Sequence, residues 1–590
     1  MCPRNYINKM EFKFLDNILR DKLGLQFSNL EVLETSSSSY EILLYQHGGK
    51  IVANKDFIGN DAGNNASDKF RDFFRLAKSQ NVSLAVTPEY SCPWVLMKEI
   101  VENVDLQPTE GKLWAIGCES ISKKEIEEFR LRIKSMKNIA IYFDDSILPS
   151  DKSFLNPLCY IFRSKDNKSN WVTVLVFQFK TQHCGVWSTK PIEKDNLILG
   201  KEIYILRNDK NSINLFTLIC SDVEKFEVTS EFQKSLSHTW QYNPYLILNI
   251  QLNQKPRHEV FRRFRNRVFD YDYDKKEIIS LNWATETLDK GIYPFSSLYM
   301  QSNEFNMDEK VLVTNHEGGL YYTYKRQYYH CIYLNSASYI FKIRHSKLAQ
   351  VGTHHSMARR DGPKAIDVYK WDLSHNKFSK EAILINDGFM DCLNSIGCTL
   401  HSLTSNKMNV VDKERLLNIS NGKVDNGNEW HKINNLITFK ISDIEHIHRL
   451  TFAQDQETKR NRFDYIDNIR VLNEEILTDQ SLLPESLSEF RGNCDHINFF
   501  EGANGYNYAY NLVTKDKKHK ATVAYLGVSD ISLAEEAFRN LKKILLDSQD
   551  WRKVVVWYKR GKNIKYAWES GLPSIDDQPN VDPNSIVKEK

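Results

Sequence analysis

Within "ASDKFRDFFRLAKSQ" the apolar residues fall at Phe70, Phe73, Phe74 and Ala77. That i, i+3, i+4, i+7 spacing predicts a helix with one buried face, capped by Ser67 or Asp68. "SKKEIEEFRLRIKSM" predicts a second helix. Ser122 and Glu125 have capping-box spacing there, and Ile126, Phe129, Ile133 and Met136 form its stripe. "HEVFRRFRNRVFDYD" predicts a third, with Val260, Phe261, Phe264 and Val268 inward and the arginines on the solvated side. Between these lie "NVSLAVTPEY", "KLWAIGCES", "WVTVLVFQFK", "INLFTLIC", "YLILNIQ" and "IISLNWA". Several are continuously apolar, the pattern of strands covered on both faces. The alternation predicts a layered α/β domain over residues 1–375.

The signal weakens after about residue 345. "RHSKLAQVGTHHSMARRDGPKAIDVYKWD" is polar and turn-rich and reads as a closing segment or a linker. Residues 376–572 read as a smaller α+β region. In it the strands "KATVAYLGVSD" and "KVVVWYKRGKNIKYAWE" flank the amphipathic helix "SLAEEAFRNLKKILLDS". Residues 573–590 read as a disordered tail.

Composition adds limits. The chain has 590 residues, 41% of them hydrophobic, enough for more than one core. Its 79 basic and 76 acidic residues leave a net charge of only +3, so charge gives no case for nucleic acid or a membrane surface. Ten cysteines are scattered without a C-x-x-C pair, which suits buried thiols in a reducing compartment. "MCPRNYINKMEFKFLD" lacks the apolar stretch of a secretory signal, and no apolar run is long enough to span a bilayer. These features together read as a cytoplasmic protein.

Candidate chemistry sits at strand ends. Glu89 follows one apolar run, Lys180 closes another and Cys220 a third. Ligands in open α/β sheets bind outside the carboxyl ends of strands, where these three side chains could converge. Alone, Cys220 reads as a buried core thiol. Beside an ammonium and a carboxylate it reads as a nucleophile. The carboxylate takes and returns the thiol proton, and the ammonium stabilises an oxyanion. Cys118 and Cys159 read as structural, while Cys92 and Cys184 are structural or line the pocket.

"AVTPEYSCPW", "VFQFKTQHCG" and "TLICSDV", in this order, resemble the three motifs of the nitrilase superfamily, the carbon–nitrogen hydrolases. "LWAIGCES", "IEKDNLILGKEIYIL", "LILNIQLNQKP" and "IISLNWA" fit beside them, so the likeness covers roughly residues 40–345. The resemblance implies an α-β-β-α sandwich followed by the smaller α+β region. It implies Glu89 as general base and acid, Lys180 as transition-state stabiliser and Cys220 as the nucleophile. It also implies a small amide or nitrile substrate, no cofactor or metal, and pairing of protomers through a sandwich face. Cys92, Trp94, Glu193, Ser221, Asp222 and Asn253 are candidates for the substrate pocket. Asp222 keeps the family pattern, but "VEKFE" follows where members commonly carry an Arg-Phe-Pro or similar. An alternative keeps the fold as a catalytically silent ligand sensor, with partner contacts in the C-terminal region. By analogy that sensor would sit in anti-phage defence beside a reverse transcriptase.

Other motifs read as ordinary surface. "IYFDDSI" has the paired aspartates of polymerases but reads as a loop with solvated carboxylates. "FRRFRNR" reads as a helix face rather than a phosphate site. His446 and His448 in "DIEHIHR", and "THHS" at 353–356, lack a third metal ligand. "KDKKHK" (515–520) reads as a charged hairpin turn.

Overall fold

The computed structural model describes residues 10–567 except 27, 185–190, 227–235, 237–238, 257, 271–274, 288–294, 302–307, 326–328, 348–361, 383, 406, 426, 434–435, 437–455, 504 and 546–552. His446, His448, the histidines of "THHS" and the tail 573–590 lie outside the described residues. The chain is a mixed α/β protein that divides into two compact units. One comprises Met1–Met307 with Thr314–Ile385, the other Asp308–Val313 with Asn386–Lys590.

The first unit is built on two sheets. Their strands are β1 (Ser39–Tyr45), β2 (Leu84–Val86), β3 (Leu113–Gly117), β4 (Ile139–Tyr142), β5 (Pro157–Lys165), β6 (Trp171–Phe179), β7 (Asn214–Ile219), β8 (Tyr245–Ile250), β9 (Lys276–Leu281), β10 (Ser297–Gln301), β11 (Leu320–Lys325), β12 (Tyr329–Leu334), β13 (Ile340–Ser346), β14 (Lys364–Asp372) and β15 (Lys377–Lys380). Nine of them form one sheet in the order β15-β14-β13-β1-β2-β3-β5-β6-β4, and six form the other in the order β7-β8-β9-β10-β12-β11. Helices α1 (Ala66–Ser79), α2 (Trp94–Glu102) and α3 (Lys123–Lys134) share one apolar core with the nine-stranded sheet. Phe70, Phe73, Phe74 and Ala77 enter it from α1, as their spacing predicts. Polar bridges join the two sheets. Gln178 Nε2 on β6 donates to Thr217 O on β7 at 2.8 Å, and His345 on β13 meets Glu277 on β9 at 3.1 Å.

Strand direction sets where the ends lie. β2 is parallel to β1 and β3. β5 is antiparallel to β3, and β6 antiparallel to β5, so two reversals return β6 to the direction of β2. The carboxyl ends of β2 and β6 therefore share one edge. β7, β8 and β9 are mutually parallel, so their ends also fall together.

Several local expectations change. The Ser122–Glu125 capping box forms on α3. On α1 the cap is instead Asn65, at φ +52° and without a side-chain cap bond, while Asp68 pairs with Arg71 at 2.7 Å. On helix α4 (Glu259–Asp270) Phe261, Phe264 and Val268 are buried and Val260 is half-buried. Arg265 does not face solvent: it is 1% exposed and donates to Pro256 O at 2.8 Å. The stretch read as a closing segment or linker contains β14, paired antiparallel with β13. Most of its residues are only half-buried, which blurs the period that marks a strand. Asp144 and Asp145 lie in a short turn, Asp145 pairing with Arg130 at 3.0 Å.

In the second unit, Lys520–Val528 and Val554–Arg560 pair in parallel, flanked by Leu512–Val513 and Asn563–Ala567. Helix Ile531–Ile544 buries Ala534, Ala537, Phe538, Leu541 and Ile544. The lysine-rich 515–519 segment is a hairpin turn. A further hairpin joins Phe500–Gly502 to Gly505–Asn507. Among the described residues no helix is long and apolar enough to cross a membrane.

Candidate functional site

Glu89 lies just beyond β2, Lys180 directly after β6 and Cys220 directly after β7. Two glycines allow the close approach behind the first two. A Cβ on Gly117 would meet the Pro88 carbonyl carbon at 2.7 Å and Glu89 Cα at 3.0 Å. One on Gly200 would meet the Phe179 carbonyl carbon at 2.9 Å.

Lys180 is 1% exposed and is held by two carboxylates. Its Nζ donates to Glu89 Oε1 at 2.7 Å and to Glu193 Oε1 and Oε2 at 2.7 and 2.9 Å. Glu89 also accepts from Asn156 Nδ2 at 2.7 Å and from the Leu252 backbone N–H at 2.9 Å. The Trp283 indole N–H fixes the Glu89 backbone carbonyl at 2.6 Å. Leu252 follows β8 and Trp283 follows β9, so both sheets contribute to holding this carboxylate. Glu193 further accepts from Tyr90 Oη at 2.8 Å and the Cys184 N–H at 2.6 Å.

These surroundings separate the two acids. Burial pushes the Glu89 carboxyl up; Lys180 opposes this and the Glu193 charge adds to it, leaving Glu89 above its ordinary value. Burial pushes Glu193 up too, but Lys180, the Cys184 N–H and Tyr90 outweigh it and hold it down. Lys180 is kept charged: burial lowers its proton affinity, but the two carboxylates raise it further. Burial and the Glu89 charge raise the Cys220 thiol well above its ordinary value, with Lys180 opposing and Glu193 adding. The resting sulfur is therefore a neutral thiol within electrostatic reach of all three charged groups.

Backbone conformation also marks the site. Seven non-glycine residues among those described have positive φ, and the two that are buried are Tyr90 (+58°) and Cys220 (+45°). A left-handed non-glycine residue costs about 1–2 kcal/mol, so the fold overrides a local preference at both positions.

Asp222 clamps the loops that carry Lys180 and Cys220. Its Oδ1 accepts from Thr181 N, Thr181 Oγ1 and Gln182 N at 2.7, 2.9 and 2.9 Å. Its Oδ2 accepts from Ile219 N at 2.9 Å. Burial, opposed by these bonds, leaves its carboxyl at about 6. Ser221 Oγ donates to Gln182 O at 2.6 Å on the same seam. Asn253 shapes the loop after β8: its N–H donates to Asn282 Oδ1 at 3.0 Å and its Oδ1 accepts from Lys255 N at 2.9 Å.

Cys92 and Trp94 lie elsewhere. Cys92 is in the helix-side core with Cys118 and Cys159, and Trp94 stacks on Phe177 at 5.6 Å while donating to Glu119 O. Tyr90, Asn156, Trp283 and the Leu252 N–H are the contributors that sequence reasoning missed. Tyr90 adjoins Glu89 in "PEY", and Asn156 is a polar residue opening an apolar strand. Those were the available signals. Among the described residues no group of three or more His, Cys, Asp or Glu is arranged to hold a metal.

No family model matches the chain, and no curated protein matches it. Among solved structures it is similar to XC1258 from Xanthomonas campestris, described as a CN-hydrolase superfamily protein with an arsenic adduct in the active site. Identity is 13%, the TM-score 0.26, and the match covers 44% of this chain and 83% of that one. A likeness that slight carries no weight for the fold or the chemistry.

Proposed function

We propose that the first unit hydrolyses a carbon–nitrogen bond of a small amide or nitrile through a covalent adduct on Cys220. The observation that carries this reading is the buried Lys180 ammonium, bonded to Glu89 and Glu193 within electrostatic reach of the Cys220 thiol. The three sequence motifs, and an order of layers in which helices cover one sheet and polar bridges join it to a second, support the nitrilase-like α-β-β-α reading.

For an amide the steps balance as follows. Glu89, whose raised proton affinity suits a base, accepts the thiol proton as sulfur bonds to the carbonyl carbon. Lys180 stabilises the oxyanion. The carbon–nitrogen bond breaks and the leaving amine takes the proton from Glu89. Water then attacks the thioester, giving one proton to Glu89, which returns it to sulfur as the acid departs. Glu193 acts as a positioning residue that keeps Lys180 charged and aimed.

The test is incubation of the full chain with short aliphatic amides and nitriles, reading ammonia release and mapping the adduct by peptide mass. Ammonia release that requires Cys220, with the adduct on that residue, is expected. Release by Cys220→Ala at the wild-type rate refutes the reading.

A further inference from the structure

The two oxygens of Glu89 are bonded unequally. Oε1 accepts from Lys180 Nζ and from Asn156 Nδ2, both at 2.7 Å. Among the described residues Oε2 accepts from the Leu252 N–H alone, at 2.9 Å. A carboxylate oxygen has two in-plane lone pairs. Those of Oε1 are therefore filled, while Oε2 keeps one. This holds in either protonation state of Glu89, because an oxygen that receives both the ammonium and the amide N–H has no place left for a proton.

The chain around Asn156 sets it in this place. Pro157 restricts the residue before it to extended backbone. Pro157 lies opposite Phe179 in the antiparallel β5–β6 pair, so Asn156 falls opposite Lys180, and its carbonyl accepts from the Lys180 N–H at 3.0 Å. Asn156 thus holds Lys180 through its backbone and Glu89 through its side chain. It is 1% exposed, and among the described residues its Oδ1 has no hydrogen-bond partner. Turning the amide over would set that oxygen against Oε1, acceptor against acceptor, so the nitrogen end is fixed on the carboxylate. A buried amide oxygen without a donor is unfavourable. The bond to Glu89 is the polar contact that the side chain does make.

We propose that Asn156 is a positioning residue that makes Glu89 a one-sided base, committing Oε1 and leaving Oε2 as the atom that takes and returns the proton. Its catalytic meaning rests on the hydrolytic reading above; its geometry does not. As the Cys220 sulfur bonds to an electrophilic carbon, the S–H bond breaks and the proton passes to Oε2, while both hydrogen bonds to Oε1 stay in place. The Asn156 donor also favours the charged carboxylate, so removing it raises the proton affinity of Glu89. Tyr90, Lys180, Cys184, Glu193 and Cys220 interact electrostatically with Glu89, and a substitution at position 156 leaves each of them in the chain.

The test follows alkylation of Cys220 by chloroacetamide against pH in the full chain, where an S–C bond replaces C–Cl and chloride leaves. Asn156→Ala, Asn156→Ser and the isosteric Asn156→Asp are compared with wild type, and urea denaturation shows which variants are folded. In wild type the rate falls on the acid side as Glu89 takes up its proton. In the Ala and Ser variants that limb should move to higher pH by about one unit. In the Asp variant it should move further, because an ionised carboxylate then faces Oε1. The rate above the limb should not exceed that of wild type. A folded variant whose limb stays within about 0.3 unit of wild type, or moves to lower pH, overturns the positioning role. A rate above the limb about threefold or more faster than wild type would mean that the freed lone pair of Oε1 takes the proton, and overturns the Oε2 assignment. Ammonia release from amides is read separately. Its absence beside a shifted limb refutes the hydrolytic reading and upholds the role of Asn156; its presence beside an unshifted limb does the reverse.

Discussion

Gly117→Ala tests the link between backbone approach and the candidate site. The added Cβ would stand 2.7 Å from the Pro88 carbonyl carbon and 3.0 Å from Glu89 Cα. Carbon atoms settle at about 3.5–4.0 Å, so the chain must open by about 0.8–1 Å. The obstruction is backbone rather than a flexible side-chain tip. Overpacking of this kind costs about 1–3 kcal/mol. The displaced segment carries Glu89, whose bonds to Lys180 and Leu252 are 2.7 and 2.9 Å. A misplacement of about 1 Å can cost about 100-fold in rate. Urea denaturation should show the loss of stability, and alkylation of Cys220 by chloroacetamide should slow by one to two orders of magnitude. Gly502→Ala is the control, because its Cβ would meet Gly505 O at an ordinary 3.5 Å. A Gly117→Ala chain within about 0.5 kcal/mol of wild type, with Cys220 alkylated at an unchanged rate, would refute the reasoning.

Other perturbations probe the charges. In Glu193→Gln, Glu89 loses the neighbouring charge that helps hold it up, so the acid limb of Cys220 alkylation should move to lower pH; an unmoved limb denies that coupling. Lys180→Met leaves two buried carboxylates without their cation and should cost about 3–5 kcal/mol in thermal or urea denaturation; a near-neutral effect would remove the lysine from its central place. Burial holds Asp222 at about 6, above its ordinary 3.8, so between those pH values the native chain keeps a proton that the unfolded chain has released. The stability from this group is thus full below 3.8 and falls by about 3 kcal/mol as pH rises through 6. Urea denaturation from pH 4 to pH 7 should therefore shift in favour of Asp222→Asn relative to wild type, and a pH-independent difference contradicts the assignment. Because Cys220 has φ +45°, Cys220→Gly should be about 1 kcal/mol more stable than Cys220→Ala by denaturant midpoint, and the reverse order would deny the strain.

Much of the first unit was legible where one face or one strand decides the pattern. The stripe of Phe70, Phe73, Phe74 and Ala77 and the Ser122–Glu125 box are local signals, and they formed as read. The runs ending before Glu89, Lys180 and Cys220 were visible because strands covered on both faces are continuously apolar. Long-range partners were not visible. Asn156, Trp283 and the Leu252 N–H reach Glu89 from 67, 194 and 163 residues away, and no periodicity records such meetings. β14 shows no clear period because most of its residues are only half-buried, so neither face reads as apolar. Arg265 reads as a surface residue, yet a carbonyl and the Tyr299 ring, 4.9 Å away, receive it inside the fold.

Asp222 carries a mechanical consequence. Lys180 ends a strand of the nine-stranded sheet, and Cys220 ends a strand of the six-stranded one. A single carboxylate accepts hydrogen bonds from both loops, so it acts as a pin through the seam between the layers. Any displacement of one sheet against the other would have that pin as its fulcrum. The separation of sulfur and ammonium would then change least, and displacement would grow with distance along the seam.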